Sequence, residues 1–299
     1  MKKFSQLLIS ISLLGIIPAH AAEDAPSVST SPIKGALHLL QGRGGNVVAS
    51  VGADGILIID DDFAAYADAY QRALNKLVPG SDDAQVPQFV INTHWHGDHT
   101  GGNLYWGDKG SVIVAHSNVR ARMSTRQEMK VSGRVVEASP AAALPVVTYG
   151  DSMALHFNDD DIEILHLPTG HTDGDSVVFF AKANVVHMGD HFFMNSFPFV
   201  DLGSGGNVAG FTANISAVLD RVDDTTIIIP GHGGKRATKK DLQRYHEMLV
   251  TTVKSVSVRM EKGQTQESIV EDGLDDKWAS WGQGFINEEM WIKTIAAGL

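Results

Sequence analysis

An α/β fold, with two sheets packed face to face and helices outside them, is what the chain predicts. Two observations carry this. Short apolar runs alternate with stretches of helical periodicity, and the second half repeats the strand–helix–strand order of the first. No linker rich in Pro, Gly and Ser separates the halves, so residues 34–299 are read as one domain.

The elements follow in order. Residues 36–40, 47–51 and 56–59 are apolar runs separated by Gly and Asp turns, which predicts successive antiparallel strands. Asp62 is positioned to cap a helix whose apolar positions Phe63, Tyr66, Tyr70, Leu74 and Leu77 recur every three to four residues, and Pro79-Gly80 ends it. Strands are expected over 88–92 and 112–115. From Ser117 to Pro145 the pattern weakens, and the stretch reads as a helix followed by a mobile loop, a candidate lid. Strands at 153–157, 162–167, 176–181 and 185–188 come next. An amphipathic helix carries Phe211, Ile215, Val218, Leu219 and Val222, and a strand at 226–229 follows it. A long helix starts at Thr238, with Leu242, Tyr245, Leu249, Val253, Val256 and Met260 on one face and Gly263 as its stop. A last helix begins near Asn287.

The N-terminus has a basic start (Lys2, Lys3), an apolar stretch from Leu7 to Ile17 and an Ala-x-Ala end. This predicts a signal peptide over residues 1–21, cut after Ala21, and hence an exported, periplasmic protein without a stable membrane anchor. Residues 22–33 are small and polar and read as a flexible lead-in. Cleavage removes two lysines and takes the formal charge from −11 to −13, which disfavours nucleic acid and anionic membranes as partners. The expected partner is a small-molecule substrate. With no cysteine, disulfides, thiolate metal sites and Cys nucleophiles are all excluded.

The chemistry is concentrated in His94-Trp95-His96-Gly97-Asp98-His99, at the end of an apolar segment. Side chains two apart on an extended segment share a side, so His94 and His96 can serve one ion while Trp95 points away, as a support for the site. Where the chain turns into a helix, Asp98 and His99 swing towards a second. His171, Asp190 and His232 each follow an apolar run and lie in Gly-rich turns. His171 can complete the first group and His232 the second, while the two oxygens of Asp190 suit a bridge. Two ions roughly 3.5–4 Å apart can hold a hydroxide between them, and coordination lowers the pKa of bound water to about 7. Asp98 is the expected proton acceptor. Two Zn2+ per chain are expected, with Mn or Fe accepted by the same donors.

Other residues receive plainer readings. His38, His116, His156, His166, His187 and His246 read as surface or hydrogen-bonded histidines, and His191 as facing away from the site. Asp60, Asp61 and Asp62 read as a turn and helix cap, and Asp159–161 as a hairpin turn. The segment 192–207, aromatic and then Gly-rich, is a candidate flexible substrate wall. Trp278, Trp281, Phe285 and Trp291 pack on the chain's own core or on a partner.

His94-x-His96-x-Asp98-His99, together with Gly170-His171-Thr172, Gly189-Asp190 and Gly231-His232-Gly233, resembles the metallo-β-lactamase-fold hydrolase superfamily, in order and context from about Leu37 to His232. The resemblance implies a four-layer αβ/βα sandwich with the site at one edge. It implies His94, His96 and His171 at one metal, Asp98, His99 and His232 at the other, and Asp190 between them. The lactamase class with a Cys ligand cannot apply. No Lys or Arg lies between Asp190 and Arg221 to grip a lactam carboxylate. The bridging Asp is similar to glyoxalase II and related thioesterases, although Gly170-His171-Thr172-Asp173-Gly174-Asp175 departs from the glyoxalase continuation. The expected function is an exported dinuclear zinc hydrolase whose bridging hydroxide attacks the carbonyl of a small ester, thioester, lactone or lactam. A β-lactamase proper is one alternative. A mononuclear iron persulfide dioxygenase is another, built on two His and one carboxylate. A non-catalytic binding protein is the third; the complete donor set counts against it.

Overall fold

Strand pairing begins earlier than the apolar pattern indicated. In the computed structural model, which describes residues 25–80, 84–129 and 133–299, Ser29–Lys34 forms strand β1. For residues 29–33, which belong to the sheet, this corrects the reading of residues 22–33 as a flexible lead-in. β1 is an edge strand on which only Ile33 is buried, and an edge tolerates Pro32 and polar side chains that a central strand does not. The expected signal peptide and its cleavage point lie outside the described residues.

β1 pairs antiparallel with β2 (Leu37–Gln41), β2 with β3 (Val47–Gly52) and β3 with β4 (Gly55–Ile59). Helix α1 (Ala67–Leu77) then crosses the outer face and returns the chain as β5 (Phe89–Ile91), parallel to β4. Two short helices, α2 (Gly97–Thr100) and α3 (Asn103–Asp108), precede β6 (Val112–His116), which is parallel to β5. After α4 (Ser117–Met123), the expected loop contains a small hairpin of β7 (Gln127–Met129) and β8 (Arg134–Val136). β9 (Val147–Tyr149) then closes the seven-stranded sheet.

The second sheet contains β10 (Ser152–Phe157), β11 (Asp160–His166), β12 (Ser176–Phe180) and β13 (Val185–His187), all antiparallel in sequence. Helix α5 (Val208–Leu219) crosses over to β14 (Ile227–Ile229), parallel to β13. The β10–β11 turn places Asn158 and Asp159 at φ 51° and 60°, the left-handed pair of a tight hairpin. Helices α6 (Lys239–Glu261), α7 (Gln266–Asp272) and α8 (Glu288–Ala297) complete the chain, and Thr238 and Asp241 form a capping box at the start of α6.

Alternation along the strands explains the layers. Val48, Leu57 and Ile59 point between the sheets and meet Ile162, Ile164 and Val178, while Val47, Ala49, Ile56 and Ile58 point outward against Tyr70, Leu74 and Trp106. On the other side, Val177, Val186 and Ile228 pack against Phe211, Ile215, Leu242, Tyr245 and Leu249 of α5 and α6. Both sheets are therefore apolar on both faces, which is why these strands read as continuous apolar runs. The result is helix, sheet, sheet, helix. Trp278, Trp281 and Trp291 are buried in the outer core, whereas Phe285 is 79% exposed. No helix among the described residues is long and apolar enough to cross a membrane.

Candidate metal centre

The parallel pairs β4–β5 and β13–β14 align their carboxyl ends at one edge of the sandwich, where open α/β folds bind ligands. β5 leads into His94 and His96, and Asp98 and His99 occupy α2. His171 stands in the turn between β11 and β12, Asp190 in the 3₁₀ turn Gly189–His191 after β13, and His232 after β14. The turns are tight enough to strain the backbone. Thr169, just before Gly170-His171, has φ 46°, an outlying conformation for a β-branched residue. Gly189 has φ 50°, and a Cβ there would lie 2.8 Å from the Thr93 side chain.

The seven expected residues converge in two groups. His94, His96, His171 and Asp190 form one, all buried; Asp98, His99 and His232 form the other. Within each group the donor atoms lie within 4.8 Å of one another. Asp190 faces both. Its Oδ2 is 3.7 Å from His94 Nε2 and 3.5 Å from His171 Nε2, and its Oδ1 is 3.1 Å from His99 Nε2 and 3.3 Å from His232 Nε2. Asp98 Oδ2 lies 3.3 Å from His232 Nε2 and 3.7 Å from His99 Nε2.

The outer nitrogens of four rings decide what the inner ones present. His171 Nδ1 donates to the Phe199 carbonyl at 2.7 Å, and His96 Nε2 donates to Asp201 Oδ2 at 3.0 Å. His99 Nδ1 donates to Asp60 Oδ2 at 2.8 Å. Thr93 Oγ1 donates to the same oxygen at 2.8 Å and so accepts from His94 Nδ1 at 3.1 Å. In the neutral rings each inner nitrogen is thus a lone pair. His96 Nδ1 and His171 Nε2 face each other at 2.8 Å, and the buried atom His94 Nε2 has no hydrogen-bond partner. Buried, converging lone pairs without donors are costly unless a cation sits among them. The donor set, imidazoles and carboxylates only, suits a divalent metal.

Electrostatics divides the groups. Burial pushes His94 well below the ordinary histidine range and His171 down to about 4, so both are neutral at pH 7. Burial also opposes charge on His99 and His232, but the neighbouring carboxylates outweigh it. Asp190, Asp98 and Asp60 raise His99 well above its usual value, and Asp190 and Asp98 raise His232 to about 9. For Asp98, burial works against the charged form, yet His99 and His232 hold the carboxyl at about 2. Without a metal, protons on His99 and His232 supply the positive charge that this carboxylate-rich group demands; a metal would displace them.

Two ring-holding carboxylates were not expected. Asp60 is fully buried with φ 62°. Its Oδ1 accepts from Thr93 N and its Oδ2 from Thr93 Oγ1 and His99 Nδ1, so one side chain orients a ligand candidate in each group. This corrects its reading as part of a turn and cap. Asp62 instead ties the β2–β3 loop down through Arg43 N and Gly44 N, and Asp61 Oδ1 accepts from Gly102 N. Asp201 holds His96, and its other oxygen accepts from Gly203 N and Ser204 N. Burial would raise Asp201, but the hydrogen bonds from His96 and Ser204 bring it to about 2. His191, as expected, stays out of the groups: it stacks on Phe211 and bonds to Asn214.

The groups open into a cavity of about 670 Å³. The segment 192–207 supplies Phe193, Phe197 and Phe199 to its wall, in keeping with the substrate-wall reading, and the β7–β8 hairpin supplies Met129, Arg134 and Val136. Trp95 packs on Ala115, Val119 and Met123, the supporting role expected of it, but it also borders the cavity beside His96 and so does not point away from the site. Arg43, from the β2–β3 loop, is a lining cation far in sequence from the stretch between Asp190 and Arg221, which has no Lys or Arg.

Two mixed sheets between helices, with a His/Asp cluster at the strand ends, define a metal-dependent hydrolase. Residues 45–232 match the family model of the metallo-beta-lactamase superfamily, and the chain belongs to that superfamily. Among curated relatives, it is 24% identical over 196 residues to a metallo-beta-lactamase type 2 of Bacteroides fragilis, covering 63% of this chain and 72% of that one. It is 29% identical over 150 residues to a hydroxyacylglutathione hydrolase of Polaromonas sp. (strain JS666 / ATCC BAA-500), covering 50% of this chain and 49% of the relative, about half its length. The crystal structure of the DIM-1 metallo-beta-lactamase superposes with a TM-score of 0.60 at 17% identity, over 76% of this chain and 98% of the other. That likeness bears out the expected sandwich fold.

Proposed function

We propose that this protein is an exported dinuclear zinc hydrolase in which hydroxide attacks the carbonyl carbon of a small ester, thioester, lactone or lactam and the acyl bond to oxygen, sulfur or nitrogen breaks. The observation that carries the reading is Asp190, whose two oxygens face two separate groups of imidazole and carboxylate donors. His94, His96 and His171 would hold one ion, Asp98, His99 and His232 the other, with Asp190 shared. Ions bound there supply Lewis acidity and make water nucleophilic near neutral pH.

The chain's own residues do the rest. Asp60, Asp201 and the Phe199 carbonyl fix the rings so that their lone pairs face inward. Asp98 is part of the cavity wall, its side chain 26% exposed and ionised at neutral pH; it accepts the proton released from the attacking water and returns it to the leaving group. Phe193, stacked on His232, and Phe199, beside His96 and His171, give the donors an apolar border. Export is supported by the basic start, apolar stretch and Ala-x-Ala sequence of residues 1–21.

The test is turnover of a chromogenic panel (aryl ester, thioester, lactone and lactam) by zinc-loaded protein, before and after chelation. Hydrolysis of at least one carbonyl class, lost on chelation and restored by zinc, is expected. Failure with every class, or turnover indifferent to chelation, would refute the reading.

A further inference from the structure

We propose that the substrate is an amphiphilic anion, with an alkyl or aryl body lying along the aromatic wall and an anionic group reaching Arg43. The inference rests on the hydrolase reading for its chemistry, but its recognition elements are separate from the metal ligands. The wall starts in contact with the ligand rings. Phe199 lies 5.7 Å, ring to ring, from both His96 and His171, and Phe193 stacks on His232 at 5.3 Å. From Phe199 the aromatic surface continues to Phe285, edge-on at 6.0 Å. Phe285 is 79% exposed, while its neighbours in sequence, Trp281 and Ile286, are buried. A phenyl ring left in water at the end of a continuous apolar wall is a surface that a ligand's apolar part would cover.

The charge pattern supplies the other half. The chain carries 35 acidic against 24 basic side chains, yet the only acidic groups lining the cavity among the described residues are Asp98 and Asp190, both placed at the ions. Apart from the candidate ligands, its charged residues are Arg43 and Arg134. Arg43 sits on the β2–β3 loop, which Asp62 anchors through the Arg43 and Gly44 amides and which meets α2 where Gly45 N donates to Asp98 O at 3.3 Å. The backbone is thus fixed beside the Asp98 group, and the Arg43 guanidinium makes no ion pair among the described residues. The aromatic wall runs from the His96–His171 group out to Phe285, with Phe193 also reaching His232, and the loop that carries Arg43 meets the Asp98 group. A ligand spanning both would carry its scissile carbonyl between an apolar part and an anion.

The test separates recognition from turnover by using ligands that cannot be hydrolysed. Zinc-loaded protein is titrated calorimetrically with straight-chain 1-alkanesulfonates from butane to octane, and with 1-alkanols of the same lengths. Sulfonate affinity should rise about threefold per methylene, near the fold-change set by burying one methylene, and should exceed that of the matching alcohol by about tenfold. Phe285→Ser should flatten the chain-length slope. Arg43→Gln should abolish the preference for sulfonate over alcohol, and Arg43→Lys should keep most of it. Affinity independent of chain length, or a sulfonate preference undiminished in Arg43→Gln, would overturn the inference. Both results are read without catalysis, so failure of the ester panel with this pattern intact would sink the hydrolase reading alone.

Discussion

The two ligand groups share Asp190 but differ in how they are held. In the His94–His96–His171 group every imidazole has its outer nitrogen on a fixed acceptor or hydroxyl, and all four members are buried. In the other group only His99 is so enclosed; the side chains of His232 and Asp98 are 28% and 26% exposed to the cavity. The first is built for rigidity and the second for access. That division suits a centre in which one half anchors and the other half meets the substrate.

The comparison can be broken, and the largest effect should come from its exposed side. Asp98→Asn is expected to lower kcat by about 10²–10⁴-fold, the range for a lost general base, with a thermal midpoint close to that of the parent. An unchanged rate would remove Asp98 from the proton path. Next come the two ring-holding carboxylates. Asp60→Asn and Asp201→Asn should each weaken metal retention by about 10–100-fold in competition with a chromophoric chelator. Asp60→Asn should affect both ions, because Asp60 serves His94 through Thr93 and His99 directly, whereas Asp201→Asn should affect one. Equal loss of both ions in Asp201→Asn would contradict the division. Chelator release from the parent protein should be biphasic, with the ion of the exposed group leaving first; a single phase would mean that burial does not govern exchange. The smallest effect should be His156→Gln, an exposed histidine paired with Asp161, which should change stability by less than about 0.5 kcal/mol and leave kcat alone.

What the chain discloses and what it hides follows from contact range. His94 to His99 are legible because a strand end and a helix start bring neighbours in sequence together in space, and His171, Asp190 and His232 announce themselves by lone placement in glycine turns. Asp60 was hidden. A carboxylate in an Asp-Asp-Asp turn reads as a cap, and its bonds to Thr93 and His99 exist only because β4 pairs in parallel with β5, Ile59 opposite Ile91. Asp201 reaches His96 across 105 residues, with no local pattern to mark it. Arg43 escaped for the same reason, being brought to the cavity by a loop far from Asp190 in sequence. β1 was missed because an edge strand that buries one side chain leaves almost no apolar period. The Gly189 backbone, by contrast, was legible as a turn that only glycine suits.

Anomalous diffraction at the zinc edge, on crystals of the metal-loaded protein, addresses the central claim most directly. Two peaks are predicted, one among His94, His96 and His171 and one among Asp98, His99 and His232, with Asp190 touching both. A single peak, or metal bound away from Asp190, would contradict it.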